Sequence, residues 1–188
     1  MPHCRKDNLA HFAVTIISKD RPGIVADVTE VLLKLGCNIE DSSCTMLGGD
    51  FAMILVVSHE KPFAKARLVD EFKGLHERSG LVTQVRHLSE EEICPVKDEG
   101  ELCLVSVYGS DRPGIVYRVT RSLADARVNI TDLNTKLIGT VEEPVYVMML
   151  EAILPNGMTI EDVSSMLESL KKELDVEIGI RSITPVSL

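Results

Sequence analysis

The chain has 188 residues, 45% of them hydrophobic, and a formal net charge of −9, which is compatible with one domain or two small ones. The acidic balance, with Lys and Arg scattered among acids, excludes a surface built to coat nucleic acid, and the absence of a run of about 18 apolar residues excludes a transmembrane helix. The opening "MPHCRKDNLAHF" carries charge and histidine where a secretory signal needs an apolar stretch, so a soluble, cytoplasmic protein is expected.

Leu9 to Ser18 is a nearly continuous apolar run, which predicts a strand buried on both faces. The hexapeptide DRPGIV, Asp20 to Val25, follows. Ile24, Val28, Val31, Leu32 and Leu35 then fall on one helical face, and Gly36 stops the helix. Asn38 to Leu47 reads as a more polar strand, Gly48-Gly49 as a hairpin turn, and Phe51 to Ser58 as a second buried strand. A helix beginning near Pro62 places Ala64, Leu68, Phe72 and Leu75 inward, and Leu81 to His87 is a closing strand. The segment 88–100, "LSEEEICPVKDEG", is acidic and punctuated by Pro and Gly, and reads as a linker with a root-mean-square reach of about 20 Å.

The same order returns beyond it. Leu102 to Tyr108 is a strand, DRPGIV reappears as Asp111 to Val116, and Ile115, Val119, Leu123 and Ala126 mark a helix. Strands are expected at Val128 to Ile138 and Val145 to Leu154, separated by Glu142-Glu143-Pro144. Thr159 with Asp162 resembles a capping box; Ile160, Val163, Leu167 and Leu170 line the last helix, and Val176 to Ile183 is the last strand. Sliding the chain by 91 positions aligns Asp20–Asp41 with Asp111–Asp132 at twelve of 22 positions without a gap, the mark of a duplicated domain. The expected fold is α+β: two ferredoxin-like βαββαβ domains, 1–87 and 101–188, each an antiparallel four-stranded sheet with both helices on one face. The first and third strands of each are central. Sequence leaves open whether the sheets join by edge strands or meet through helix faces.

The repeated loop joins the first strand of each unit to its first helix. Pro22 and Pro113 suit the first helical position, where the missing N–H is not needed. Gly23 and Gly114 leave the helix start uncovered, so that its free N–H groups and positive end can accept a carboxylate. Two readings stand for Asp20 and Asp111, a helix cap or a receptor for an ammonium group. Arg21 and Arg112 are exposed turn residues or ligand clamps. Asn38 and Asn129, each followed by isoleucine (Ile39, Ile130) and then by Asp41 or Asp132, satisfy a turn or project across a domain interface. Ala26-Asp27 in the first copy becomes Tyr117-Arg118 in the second, so the two loops need not bind equally.

Together, DRPGIV and "GCNIEDSSCTMLGGDFAMILVV" resemble the ACT domain, and more narrowly the tandem-ACT family of the glycine cleavage system transcriptional repressor, over essentially the whole chain. The resemblance implies a non-catalytic, amino-acid-sensing regulatory protein, with glycine as first effector, that acts through a regulatory protein partner without contacting nucleic acid or membrane itself. It places ligands at ACT interfaces, against Asp20, Arg21, Pro22, Gly23, Ile24 and Val25 with Asn38 and Ile39, and against Asp111, Arg112, Pro113, Gly114, Ile115 and Val116 with Asn129 and Ile130. Alternatives are a ligand-free structural or interaction dimer, or the regulatory subunit of an amino-acid metabolic enzyme carried on another chain. A homodimer is an open option.

No convergent catalytic set, metal site or cofactor site can be assembled from the remaining residues. His3, Cys4 and His11 match no metal-ligand spacing; Cys37 and Cys44, seven apart along a strand, are expected on opposite faces; His59, His76 and His87 read as surface residues. Five cysteines, at 4, 37, 44, 94 and 103, predict reduced, mostly buried thiols.

Overall fold

A computed structural model describes residues 9–93 and 100–184 of the chain, which divides into two compact units, 1–96 and 97–188. The first contains β1 (Leu9–Lys19), α1 (Ile24–Leu35), β2 (Asn38–Leu47), β3 (Asp50–Glu60), α2 (Lys65–Ser79), β4 (Val82–Leu88) and a one-turn helix α3 (Glu90–Ile93). The second contains β5 (Leu102–Gly109), α4 (Ile115–Asp125), β6 (Asn129–Gly139), β7 (Pro144–Ile153), α5 (Ile160–Leu174) and β8 (Val176–Ser182). Both sheets are antiparallel, in the orders β2-β3-β1-β4 and β6-β7-β5-β8. These are the two ferredoxin-like units expected from the repeat.

Side-chain alternation decides where each core lies. Ala10, Phe12, Val14 and Ile16 of β1 interleave with Phe51, Met53, Leu55 and Val57 of β3 beneath Ile24, Val28, Val31 and Leu32 of α1 and Leu68, Phe72 and Leu75 of α2. In the second unit Cys103, Val105 and Val107, with Tyr146, Met148 and Leu150, lie under Ile115, Val119 and Leu123 of α4 and Val163, Leu167 and Leu170 of α5. On the other face of the first sheet α3 meets one end, where Arg86, opposite Ala13, pairs with Glu92 and Leu88, opposite His11, is buried; further along, the face is open. Ile17 is 50% and Ile54 54% exposed there, so the expectation that β1 is buried on both faces does not hold; its continuous apolarity serves one covered face and one open one.

Two other expectations change. Ala64 is the exposed residue before α2, not a member of its inward face; Phe63 turns inward in its place and packs against the core. Of the segment read as linker, Leu88 is the buried last residue of β4, and Glu90–Ile93 form α3. That turn is fixed by a reciprocal cap: the Ser89 backbone N–H donates to Glu92 Oε2 at 2.9 Å, and the Glu92 N–H donates to Ser89 Oγ at 3.3 Å. Residues 94–99 lie outside the described residues. Among the described residues, no helix is long and apolar enough to cross a membrane.

Candidate functional site

The repeated loop is built around a left-handed glycine. Gly23 (φ 92°, ψ −4°) and Gly114 (φ 100°, ψ −8°) are the residues flanking α1 and α4, and no side chain caps either helix. This corrects two expectations. Pro22 and Pro113 precede the N-cap instead of occupying the first helical position, and Asp20 and Asp111 do not cap. The glycines therefore lie outside the helices, and their conformation is one that an L side chain reaches only with strain. A Cβ on Gly114 would meet nothing within 4 Å, and one on Gly23 only Arg21 Nη1 at 3.6 Å, so the backbone angle, not crowding, calls for glycine.

The first intrahelical bonds run from Asp27 N–H to Gly23 O and from Arg118 N–H to Gly114 O, both 2.9 Å. The N–H groups of the first turn ahead of these bonds point out of the helix, at its positive end, where a carboxylate is stabilised. Ile24 and Ile115 are core residues, 2% and 1% exposed; they anchor the loop and offer a ligand only their backbone. Val25 and Val116 are exposed beside them.

The two loops are wired differently, and the Asp27-to-Arg118 exchange is the cause. Arg21 folds back on its own helix, pairing with Asp27 Oδ2 at 2.5 Å and donating to Pro22 O at 3.2 Å. In the second copy the partner has become a cation. Arg112 reaches instead to Asp175 Oδ2 at 3.0 Å, at the corner between α5 and β8, and Arg118 pairs with Glu173 at 2.7 Å. All these side chains are more than a third exposed, so each pair contributes under about 1 kcal/mol; their effect is on where the guanidinium stands. A cavity of about 690 Å³ borders the second loop, lined by Ser110, Tyr108, Lys171, Lys172 and Asp175 among others.

Asn38 and Asn129 lie at the other end of their own sheets. The first loop adjoins the β2–β3 turn, where the Asp20 N–H donates to Gly49 O at 3.1 Å, whereas Asn38 pairs with Ser58. The stretch of β3 between those levels, Asp50 to Ser58, spans roughly 26 Å at about 3.3 Å per residue, so one small ligand cannot touch a loop and the asparagine of the same unit. Both edge strands are bulged just beyond this point, between Ile39 and Asp41 and between Ile130 and Asp132. In the first unit the bulge residue Glu40 accepts from Asn38 Nδ2 at 2.9 Å and from the buried Ser58 Oγ at 2.5 Å. Asn129 borders a cavity of about 170 Å³ with Arg127, Ile153 and Asn156.

Sequence periodicity misses a bulge because the extra residue leaves composition unchanged and reverses only the alternation. One consequence is that Cys44, paired with the buried Met53, lies on the helix side, the side to which Cys37 also packs; the expectation of opposite faces is corrected. Cys44 is exposed, Cys37 half-buried and Cys103 buried, so the thiols are less uniformly buried than expected. Burial pushes the Cys103 thiol up, with Glu101 adding to it. His59 is half-buried and stacks on Phe63 at 4.1 Å between ring centroids, while His76 and His87 are exposed as read. Among the described residues there is no group of three or more potential metal ligands; His3 and Cys4 lie outside them.

Two βαββαβ units, each with an uncapped helix start behind a glycine in left-handed conformation, make this a tandem ferredoxin-like α+β protein. The ACT domain family matches residues 10–87 and 101–181, and the chain belongs to it. A UPF0237 protein of Methanopyrus kandleri is 40% identical over 75 residues, 39% of this chain and 83% of that one. The glycine cleavage system transcriptional repressor of Escherichia coli is 44% identical over 48 residues, which is 26% of this chain and 25% of the repressor. The crystal structure of an unknown protein from Galdieria sulphuraria superposes with a TM-score of 0.79 at 28% identity, covering 94% of this chain and 99% of that one.

Proposed function

We propose that this ACT protein is a non-catalytic regulatory protein that binds a small amino acid, glycine first, at its strand-to-helix loops and acts through a protein partner. The observation that carries the reading is the duplicated helix start of Gly23 and Gly114, uncapped by any side chain, in a chain of a regulatory domain family. The amino acid's carboxylate meets the free N–H groups of the first turn. Its ammonium meets Asp20 or Asp111, which the absence of a capping role leaves available. Arg21 and Arg112 stand beside the carboxylate, while Pro22, Pro113, Val25 and Val116 form the rim and Ile24 and Ile115 hold it in place. Asn38 with Ile39, and Asn129 with Ile130, enter the proposal only as contacts to a loop of a second copy of the chain, because each lies far from the loop of its own unit. The local match to the glycine cleavage repressor supports a role in regulating amino-acid metabolism.

Thermal unfolding of the full chain against a panel of amino acids tests this. A ligand at about 100 times its dissociation constant adds roughly 2.7 kcal/mol, so glycine is expected to raise the transition, and Asp20→Asn together with Asp111→Asn to abolish the rise. If no amino acid at millimolar concentration moves the transition, the sensing function is rejected. A ligand-dependent pull-down with the purified partner then tests the second half of the reading.

A further inference from the structure

The end of each sheet where the first helix hands over to the edge strand is closed differently in the two units. In the first, Gly36 makes the left-handed turn after α1 at φ 71°, and a Cβ there would stand 3.6 Å from Nε2 of His59, whose ring is stacked on Phe63. The unit also supplies its own anion: the Glu40 carboxylate at the bulge accepts from Asn38 Nδ2 and from Ser58 Oγ. In the second unit all but the asparagine are exchanged. Pairing sets Asn129 opposite Ile153 as Asn38 is set opposite Ser58, so Thr131 stands for Glu40, Ile153 for Ser58, Leu154 for His59 and Asn156 for Lys61. Arg127 stands for Gly36, at φ 60°. A carboxylate has gone and a cation has come, around an asparagine that is kept. Arg127, Asn129 and Asn156, with Ile153, Leu154 and Pro155, line the cavity of about 170 Å³. Among the described residues, none of these three polar side chains has a hydrogen bond or ion pair. Packing does not call for the arginine, which is exposed at a turn that glycine makes without strain. A strained residue kept at the rim of a cavity points to a task for its side chain.

We propose that this cavity is a ligand site of the second unit, separate from the loops, for a small monocarboxylate. The Arg127 guanidinium, a planar fork matched to a carboxylate, and the amides of Asn129 and Asn156 receive the head. The ligand thus takes the part that the Glu40 carboxylate plays toward Asn38 in the first unit. Its short aliphatic tail lies against Ile153, Leu154 and Pro155. Sites for drug-sized ligands begin near about 300 Å³, so the occupant is small. Asp132 and Glu151, opposite each other two pairs further along the strands, repel a second negative charge. The site asks for no ammonium group and lies at the other end of the sheet from Gly114, so it does not rest on the amino-acid reading.

Titration of the full chain with propionate at fixed ionic strength, followed by amide chemical shifts, tests this. Saturable shifts are expected at Arg127, Val128, Asn129 and Asn156, and none from propionamide, which keeps the shape and lacks the charge. Acetate, one methylene shorter, should bind up to about fourfold more weakly, and succinate more weakly than propionate. Arg127→Gly should abolish the shift at Asn156 while the second unit resists urea at least as well as before, which separates lost binding from lost folding. Arg127→Lys and Asn156→Ala should each weaken propionate about tenfold, the loss of roughly one hydrogen bond. No saturable shift at these amides at millimolar propionate, shifts that propionamide reproduces, succinate binding as tightly as propionate, or shifts that survive Arg127→Gly overturn the inference. The response of the loops to glycine stands or falls apart from it.

Discussion

At the scale of single residues, the structure turns on a few positive φ angles. Gly23 and Gly114 adopt them at the start of a helix, where the space around each is open. Gly23→Ala and Gly114→Ala are therefore expected to cost about 1 to 2 kcal/mol each, through backbone strain and not through a clash. At the far end of the same helices the copies diverge. Gly36 ends α1 at φ 71°, and the position one repeat on is Arg127 at φ 60°, where arginine bears the strain that glycine avoids. Arg127→Gly should stabilise the second unit by about 1 kcal/mol in urea unfolding, and a loss of stability there would show that the arginine side chain outweighs its backbone cost. The repeat made the glycines visible in sequence, but their reason was not. Six identical residues say that something is constrained; only the dihedral angle says that the constraint is conformational and that the glycine stands before the helix, not within it.

Among the elements, helix ends divide into those closed by side chains and those left open. The last helix is closed by a full capping box: Thr159 Oγ1 accepts from the Asp162 N–H at 3.2 Å, and Asp162 Oδ2 accepts from the Thr159 N–H at 2.9 Å. That backbone bond first, and then the threonine hydroxyl, hold the Asp162 carboxyl below its ordinary value of 3.8. Because the folded value is the lower one, the stabilising contribution is complete above the unfolded value and is lost as pH falls through the folded one. Asp162→Asn should thus destabilise the second unit at neutral pH and converge with the unsubstituted chain on acidification below the ordinary carboxylate range; a difference that persists unchanged into acid would contradict the cap. This box was legible because its residue types and spacing are themselves the signal. The equivalent Ser89 to Glu92 turn carried the same signal and was hidden by the acidic, Pro-punctuated composition around it. The bulges in β2 and β6 had no signal at all. Against these closed ends, the open starts of α1 and α4 are set apart by the placement of glycine where a serine or aspartate would have capped.

Across the whole molecule, duplication has kept the fold and changed the chemistry. Both units share strand order, a bulge at the same point of the edge strand, and a core on one face of the sheet. The fold was readable because periodicity and turn residues recur in the same order in both halves, anchored by the ungapped match at 91 positions from Asp20 to Asp41, and two weak signals in agreement exclude most alternatives. The site was readable only in part: the loop is contiguous in sequence, but its wiring joins Arg112 to Asp175, 63 residues apart, a contact no local pattern records. The account's central claim, that the loops receive amino acids, is tested most directly by amide chemical-shift mapping of the full chain titrated with glycine. Saturable shifts are predicted at Gly23, Ile24 and Val25, the start of the first uncapped helix. Amides of this loop that stay unmoved at millimolar glycine, or a response confined to residues away from both loops, would contradict it.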